Sequence, residues 1–145
     1  MKSCKKVMTK QIIWCLPNDS VEKAANLMKS ENIGSLPVLE NDQTKKVVGL
    51  VTDRDLTLRV VAGGLDAKST KVESVMTHQI ITCRANDDIR KALEAMSANQ
   101  VRRIPIVNKA NKILGIIAQA DVAMQIKHPK RTAKMMRGIS QENGK

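Results

Sequence analysis

Thr52-Asp53-Arg54-Asp55 is the segment of this sequence best equipped for chemistry. It follows Val47-Val48-Gly49-Leu50-Val51, so it falls where an apolar strand gives way to a helix. The first turn of a helix carries unpaired N–H groups and a partial positive charge, which suits a phosphate. The Thr52 hydroxyl adds a donor there. Asp55, one turn in, can accept two hydrogen bonds from vicinal hydroxyls such as a ribose diol. Thr-x-x-Asp is also the spacing of a capping box, in which Thr52 caps the helix and Asp55 returns the bond. On spacing alone both readings stand.

The segment has a copy. Ala118-Gln119-Ala120-Asp121 keeps the carboxylate and loses the hydroxyl. It belongs to a duplication that runs through most of the chain. Val7-Met8-Thr9 returns 68 positions on as Val75-Met76-Thr77, and Ile12-Ile13, Cys15, Asn18-Asp19, Ala24, Met28 and Pro37 return as Ile80-Ile81, Cys83, Asn86-Asp87, Ala92, Met96 and Pro105. After a two-residue contraction Gly49-Leu50-Val51 pairs with Gly115-Ile116-Ile117. The copies differ in their basic residues as well. Arg102-Arg103 precedes Ile104-Pro105 where Gly34-Ser35 precedes Leu36-Pro37. An Arg fork makes paired, charge-assisted bonds to phosphate. A solvated Arg pair at a helix end is the plain alternative.

Other chemistries find little support. Two isolated histidines, no nucleophile–base grouping and no phosphate-loop or metal motif speak against an enzyme. His78 falls in a polar turn. Three cysteines without CxxC spacing are expected as buried free thiols, and no ligand cluster for a metal forms around the histidines. The net charge of +11 gathers toward the ends, from Lys2, Lys5, Lys6 and Lys10 to Lys127, Lys130, Arg131, Lys134, Arg137 and Lys145. That balance favours anionic partners, or simply aids solubility. Trp14 is the one aromatic residue, so no stacking platform for single-stranded nucleic acid is available. No run approaches the ~18 apolar residues of a membrane span. The lysine-rich start has no apolar stretch like that of a signal peptide, so a cytoplasmic location is expected.

The elements that must position these residues can be placed by pattern. Each repeat reads as strand, helix, strand, strand, helix. Gln11 to Cys15 is a short β-rich run, broken by Pro17-Asn18-Asp19-Ser20. Asp19 is placed to cap the next helix, with Glu22 three residues on. Val21, Ala24, Ala25 and Met28, and in the copy Ile89, Ala92, Leu93 and Met96, make one apolar helix face. Pro37 and Pro105 belong at a strand start or an edge, because proline donates no hydrogen bond. Asn41–Lys45 and Asn108–Lys112 are polar hairpin loops, and Val47–Val51 and Ile113–Ile117 read as buried central strands. Residues 1–66 form the first repeat, 67–72 a linker, 73–128 the second repeat and 129–145 a basic tail. Met135, Met136 and Ile139 would let the tail form a short helix against a dimer partner. A repeat of about 60 residues is marginal alone, so the halves are expected to fold together.

A tandem of β-α-β-β-α units with Val-Met-Thr openings, Leu-Pro-Val or Ile-Pro-Ile strands and Gly-x-x-Thr-x-x-Asp resembles the CBS-domain pair, or Bateman module, from about Val7 to Lys127. It is most similar to short standalone bacterial CBS-pair proteins. The resemblance implies an α+β fold of two repeats about a pseudo-twofold axis, and a regulatory role without catalysis. It also implies a homodimer joined through helical faces, acting on a downstream protein the sequence does not name. An adenine nucleotide such as AMP, ADP or ATP is the implied ligand, with no cofactor required. By the same resemblance Thr52 serves phosphate and Asp55 ribose. Arg102 and Arg103 would face the Thr52/Asp55 crevice, and main-chain groups near Ile13 and Ile81 would meet the adenine edge. Asp121 marks a second crevice, expected to be weaker because Ala118 replaces the hydroxyl. The rival readings are a basic nucleic-acid-binding protein and a ligand-free dimerisation scaffold.

Overall fold

The computed structural model describes residues 2–125. The expected tail helix lies outside them. The chain forms two compact units, one of residues 13–80 and one of residues 2–12 together with 81–125. The units are out of phase with the sequence repeats, because each contains the Val-Met-Thr segment that opens the other copy.

In the unit Ile13–Ile80, helix α2 (Val21–Glu31) packs on a hairpin of β1 (Ser35–Leu39) and β2 (Val47–Thr52). Val21, Ala24 and Met28 turn inward as expected, but Ala25 is exposed, so the buried stripe is narrower than its spacing suggested. The cap also differs. Ser20 Oγ accepts from Lys23 N at 3.1 Å, while Asp19 Oδ2 accepts from Leu16 N at 2.8 Å and closes the Pro17-Asn18 turn. Asp19 sits one residue too early to cap the helix main chain and stabilises the turn before it instead, while its Oδ1 accepts from Lys23 Nζ at 3.2 Å. The copy repeats this division. Asp87 Oδ2 accepts from Arg84 N at 2.8 Å, and Asp88 caps α4 (Ile89–Asn99) by accepting from Arg90 N at 2.9 Å. Both helices stop on a left-handed residue, Asn32 at φ 54° and Gln100 at φ 54°. Each is followed by a bond back into the helix, Ile33 N to Met28 O and Val101 N to Met96 O, both 3.0 Å.

The expected strand Gln11–Cys15 shrinks to one parallel bridge, Cys15 to Val38, and its copy is only β3 (Cys83–Arg84) on β4 (Arg103–Val107). The prolines explain why. Cys15 N donates to Pro37 O at 3.1 Å and Leu39 N to Cys15 O at 3.0 Å. The next rung would need an N–H from Pro37, which has none. Pro105 ends the β3–β4 ladder at Cys83 in the same way. The strands β2 and β5 (Ile113–Ala118) alternate between buried and half-buried positions. They are not buried on both faces, because a hairpin covers its core on one face only.

A second strand-like contact closes each sheet. Thr77 N donates to Leu50 O at 2.8 Å and Leu50 N to Thr77 O at 3.0 Å; Thr9 N donates to Ile116 O at 2.8 Å and Ile116 N to Thr9 O at 3.0 Å. The methionine of each Val-Met-Thr lies over a glycine. A Cβ on Gly49 would fall 2.5 Å from Met76 Sδ, and one on Gly115 would fall 2.6 Å from Met8 Sδ and 2.9 Å from Thr9 O. The repeated Gly and the repeated Met are thus two sides of one contact. The segment leading to each Val-Met-Thr forms a short helix, α1 (Cys4–Val7) in one unit and a 3-10 turn (Val72–Ser74) in the other. Residues 67–72, a linker by sequence, are tied onto the start of α2: Val21 N donates to Thr70 O at 2.9 Å, Glu22 N to Ala67 O at 3.1 Å and Val72 N to Asp19 O at 2.8 Å.

Candidate functional site

Thr52 ends β2 in an extended conformation and α3 (Asp53–Asp55) begins at once, continued by a π-helical turn (Leu56–Val61). The capping box is formed. Thr52 Oγ1 accepts from Asp55 N at 3.0 Å, and Asp55 Oδ2 accepts from Thr52 N at 3.0 Å. Asp53 N, the first free donor of the turn, reaches Gly34 O at 2.8 Å and so pins the loop before β1 against the helix start.

Two residues that sequence reasoning did not single out complete the surroundings of Asp55. Thr77 Oγ1 lies 3.5 Å from Asp55 Oδ2, and Arg59 Nε lies 3.9 Å from Asp55 Oδ1. Arg59 Nη1 also donates to Val75 O at 3.2 Å. The Asp55–Arg59 spacing of four residues was a visible signal for this pair. Thr77 was hidden, because its motif is read as the opening of the second repeat and not as part of this unit. The Asp55 side chain is 12% exposed and Arg59 53%, so the carboxylate is shielded while the guanidinium faces water.

The copy is plainer. Asp121, in α5 (Gln119–Gln125), accepts from Ala118 N at 3.3 Å, and no hydroxyl answers it. Gln119 N donates to Arg102 O at 2.8 Å, the counterpart of Asp53 on Gly34. The Arg102 side chain is exposed and Arg103 half-buried at the start of β4. Thr52, Asp55 and Ile13 belong to one compact unit; Arg102, Arg103, Asp121 and Ile81 belong to the other. Ile13 and Ile81 are half-buried and stand just beyond the rung at which each proline stops its ladder, with no main-chain hydrogen bond to another described residue.

Cys4, Cys15 and Cys83 are free and buried. Burial pushes the Cys4 and Cys15 thiols up to about 12 and raises that of Cys83, with Asp19 adding to the rise of Cys15 and Asp87 to that of Cys83. Thiols held in this state are poor nucleophiles. His78 is exposed. Among the described residues no group of three or more His, Cys, Asp or Glu side chains is placed to hold a metal ion, and no helix is long and apolar enough to cross a membrane.

Comparison with known proteins fits this architecture. The CBS domain family profile matches residues 4–62 and 72–128. The CBS domain-containing protein YhcV of Bacillus subtilis is 36% identical over 143 residues, covering 99% of this chain and 99% of that protein. The crystal structure of Hypoxic Response Protein I, with two coordinated zinc ions, superposes with a TM-score of 0.77 at 26% identity, covering 86% of this chain and 99% of that one. The CBS domain pair of MJ0100, in complex with 5'-methylthioadenosine and S-adenosyl-L-methionine, shares the fold with a TM-score of 0.73 at 22% identity, over 86% of this chain and 94% of that one. Two matched copies, each with an α/β unit, a proline-stopped ladder and an aspartate one turn into the last helix, make this chain a member of the CBS-domain family, a tandem CBS pair of α+β fold.

Proposed function

We propose that this chain is a regulatory module that binds an adenine nucleotide of the AMP, ADP or ATP type and catalyses no reaction. The observation that carries the reading is the pairing of two features within the unit Ile13–Ile80. A shielded carboxylate, Asp55, stands one turn into a helix beside the Thr52 hydroxyl. In the same unit Pro37 stops a ladder and leaves the Ile13 main chain without a partner among the described residues. A ribose diol is recognised by a carboxylate, and the edge of an adenine by free main-chain N–H and C=O groups. The MJ0100 pair, bound to two adenosine compounds, supports the ligand class, since the same fold admits them there.

Thr52 takes a phosphate oxygen in this reading, and Arg102 and Arg103 supply positive charge for the phosphates. The Asp121 site is the weaker of the two because its box has no hydroxyl. The module acts as a cytoplasmic homodimer. Exposed Leu58 and Val61 in one unit and Met124 in the other support association through helical faces. Occupancy changes the output only if the ligand binds one conformation better than another.

Isothermal titration of AMP, ADP and ATP into the folded, nucleotide-free protein tests the reading. Saturable binding near one site per chain is expected, lost in Asp55→Ala and reduced in the Arg102→Ala/Arg103→Ala pair. Asp55→Asn keeps an acceptor for the cap and is expected to fold normally while binding weakly. Absence of heat with all three nucleotides would reduce Thr52 and Asp55 to a helix cap. Two equal sites per chain would refute the ranking of the crevices.

A further inference from the structure

The positive charge of this protein is not spread over its two related units. Residues 13–80 carry eight Lys and Arg against nine Asp and Glu, a net −1, whereas residues 2–12 with 81–125 carry eleven against four, a net +7. The fold does not require this, since both units are built alike. The sharpest divergence lies in the arm that closes each sheet. Lys2, Lys5, Lys6 and Lys10 occupy the places that Thr70, Glu73, Ser74 and His78 hold in the other copy. All four lysines are exposed, and among the described residues no carboxylate pairs with any of them.

The arm is held in place. Cys4 N donates to Asp87 O at 2.8 Å, Lys5 N to Ala85 O at 2.8 Å, and Thr9 and Ile116 exchange two bonds, so the lysines stand on an anchored backbone. Lys2 Nζ donates to Gln125 Oε1 at 2.7 Å, which ties the start of the arm to the last helix of the unit.

We propose that this arm is the docking face for the phosphate backbone of a double-stranded nucleic acid. The chemistry of the face selects that partner. Protein hot spots are built on aromatic and apolar anchors in desolvated pockets, and membrane-surface helices need an apolar face. The arm offers neither: Cys4 points inward, and none of the exposed large apolar side chains lies on it. What it presents is four hydrated point charges, the means by which lysine meets phosphate without reading sequence. A chain whose one aromatic residue is Trp14 has no platform for stacking unpaired bases, so a duplex suits it better than a single strand.

The test is fluorescence anisotropy of a labelled random duplex of about 20 base pairs, titrated with the full chain from about 50 mM salt upward. The quadruple variant Lys2→Glu/Lys5→Glu/Lys6→Glu/Lys10→Glu is compared with Lys29→Glu/Lys46→Glu/Lys68→Glu/Lys71→Glu, which changes the net charge equally on the other unit. The arm variant is expected to lose about tenfold or more in affinity, with the salt slope falling by about 0.9 per lysine, while the control stays within about threefold of the parent chain. A Lys→Gln set at the same four positions serves if the Glu set does not fold. Equal loss in both variants, an unchanged arm variant, or no duplex binding would overturn the proposal. So would displacement of the duplex by polyglutamate at equal charge concentration, which would mark the face as one for acidic protein.

Discussion

Asp55 divides its two oxygens between different partners. Oδ2 closes the capping box with Thr52 and lies near Thr77, while Oδ1 faces Arg59 across 3.9 Å. Removing the carboxylate costs the cap whether or not a ligand binds. Asp55→Ala should therefore lower stability by about 1 kcal/mol in urea unfolding. Asp121→Ala should cost less, because it loses one 3.3 Å bond with no hydroxyl behind it. An equal or larger cost at Asp121 would contradict this ranking. The pH limits of the fold are also set by single residues. The folded state holds Cys4 and Cys15 near 12 against a usual 9, so their contribution is complete below about 9 and is lost as pH rises toward 12. Bonds from Arg90 hold Asp88 down to about 2 against a usual 3.8, so its contribution is present above 3.8 and is lost as pH falls through 2. Thermal melts across the pH range should show the midpoint falling above pH 9, and Cys15→Val should flatten that fall.

At the scale of elements, the contact between each Val-Met-Thr and its glycine carries a clear prediction. Gly115→Ala should be the more damaging of the two glycine substitutions, since its Cβ meets the Thr9 carbonyl at 2.9 Å as well as Met8, and a main-chain oxygen engaged in the sheet cannot move aside. Gly49→Ala meets only the flexible Met76 side chain and should be partly relieved by Met76→Ala. Denaturation midpoints of the single and double variants decide this; no relief in the double variant would count against the packing account. Much of this level was legible beforehand. The helix faces, the two hairpin loops and the start of the helix at Thr52 all follow from local periodicity and turn chemistry. The partner of each Val-Met-Thr was not legible, because pairing between Thr9 and Ile116 leaves no local pattern. The exchange of roles between Asp19 and Ser20 turned on a single residue of register. Thr77 was missed around Asp55 because it comes from the other copy, whereas Arg59 stood at the four-residue spacing of a helical ion pair and could have been found.

For the whole molecule, duplication provides an internal control, since each feature of one unit can be weighed against its counterpart in the other. The hydroxyl at Thr52 and the lysines of the arm are both absent from the matching copy, and they fall in different units. If each feature carries its own function, the two should be separable. Asp55→Asn should leave duplex binding within about twofold of the parent, while the arm charge reversal should leave nucleotide stoichiometry intact. Anisotropy and calorimetry on the same two proteins would show it, and loss of both activities in either variant would argue for a single shared site.

The crossed arms also govern the order in which the molecule can assemble. The unit Ile13–Ile80 is one unbroken stretch, complete as soon as residue 80 leaves the ribosome. The other draws on residues made before that stretch and must wait for Ile116 before Thr9 has a partner. The loop closed by Thr9 and Ile116 is about four times longer than that closed by Leu50 and Thr77, an added entropic cost of about 1.2 kcal/mol. The arm should thus dock late, both in synthesis and on dilution from denaturant. Pulse-labelled hydrogen exchange should find the Leu50 and Thr77 amides protected before those of Thr9 and Ile116. Until then the nascent chain carries an undocked lysine-rich segment, with Cys4 and Met8 still exposed to solvent.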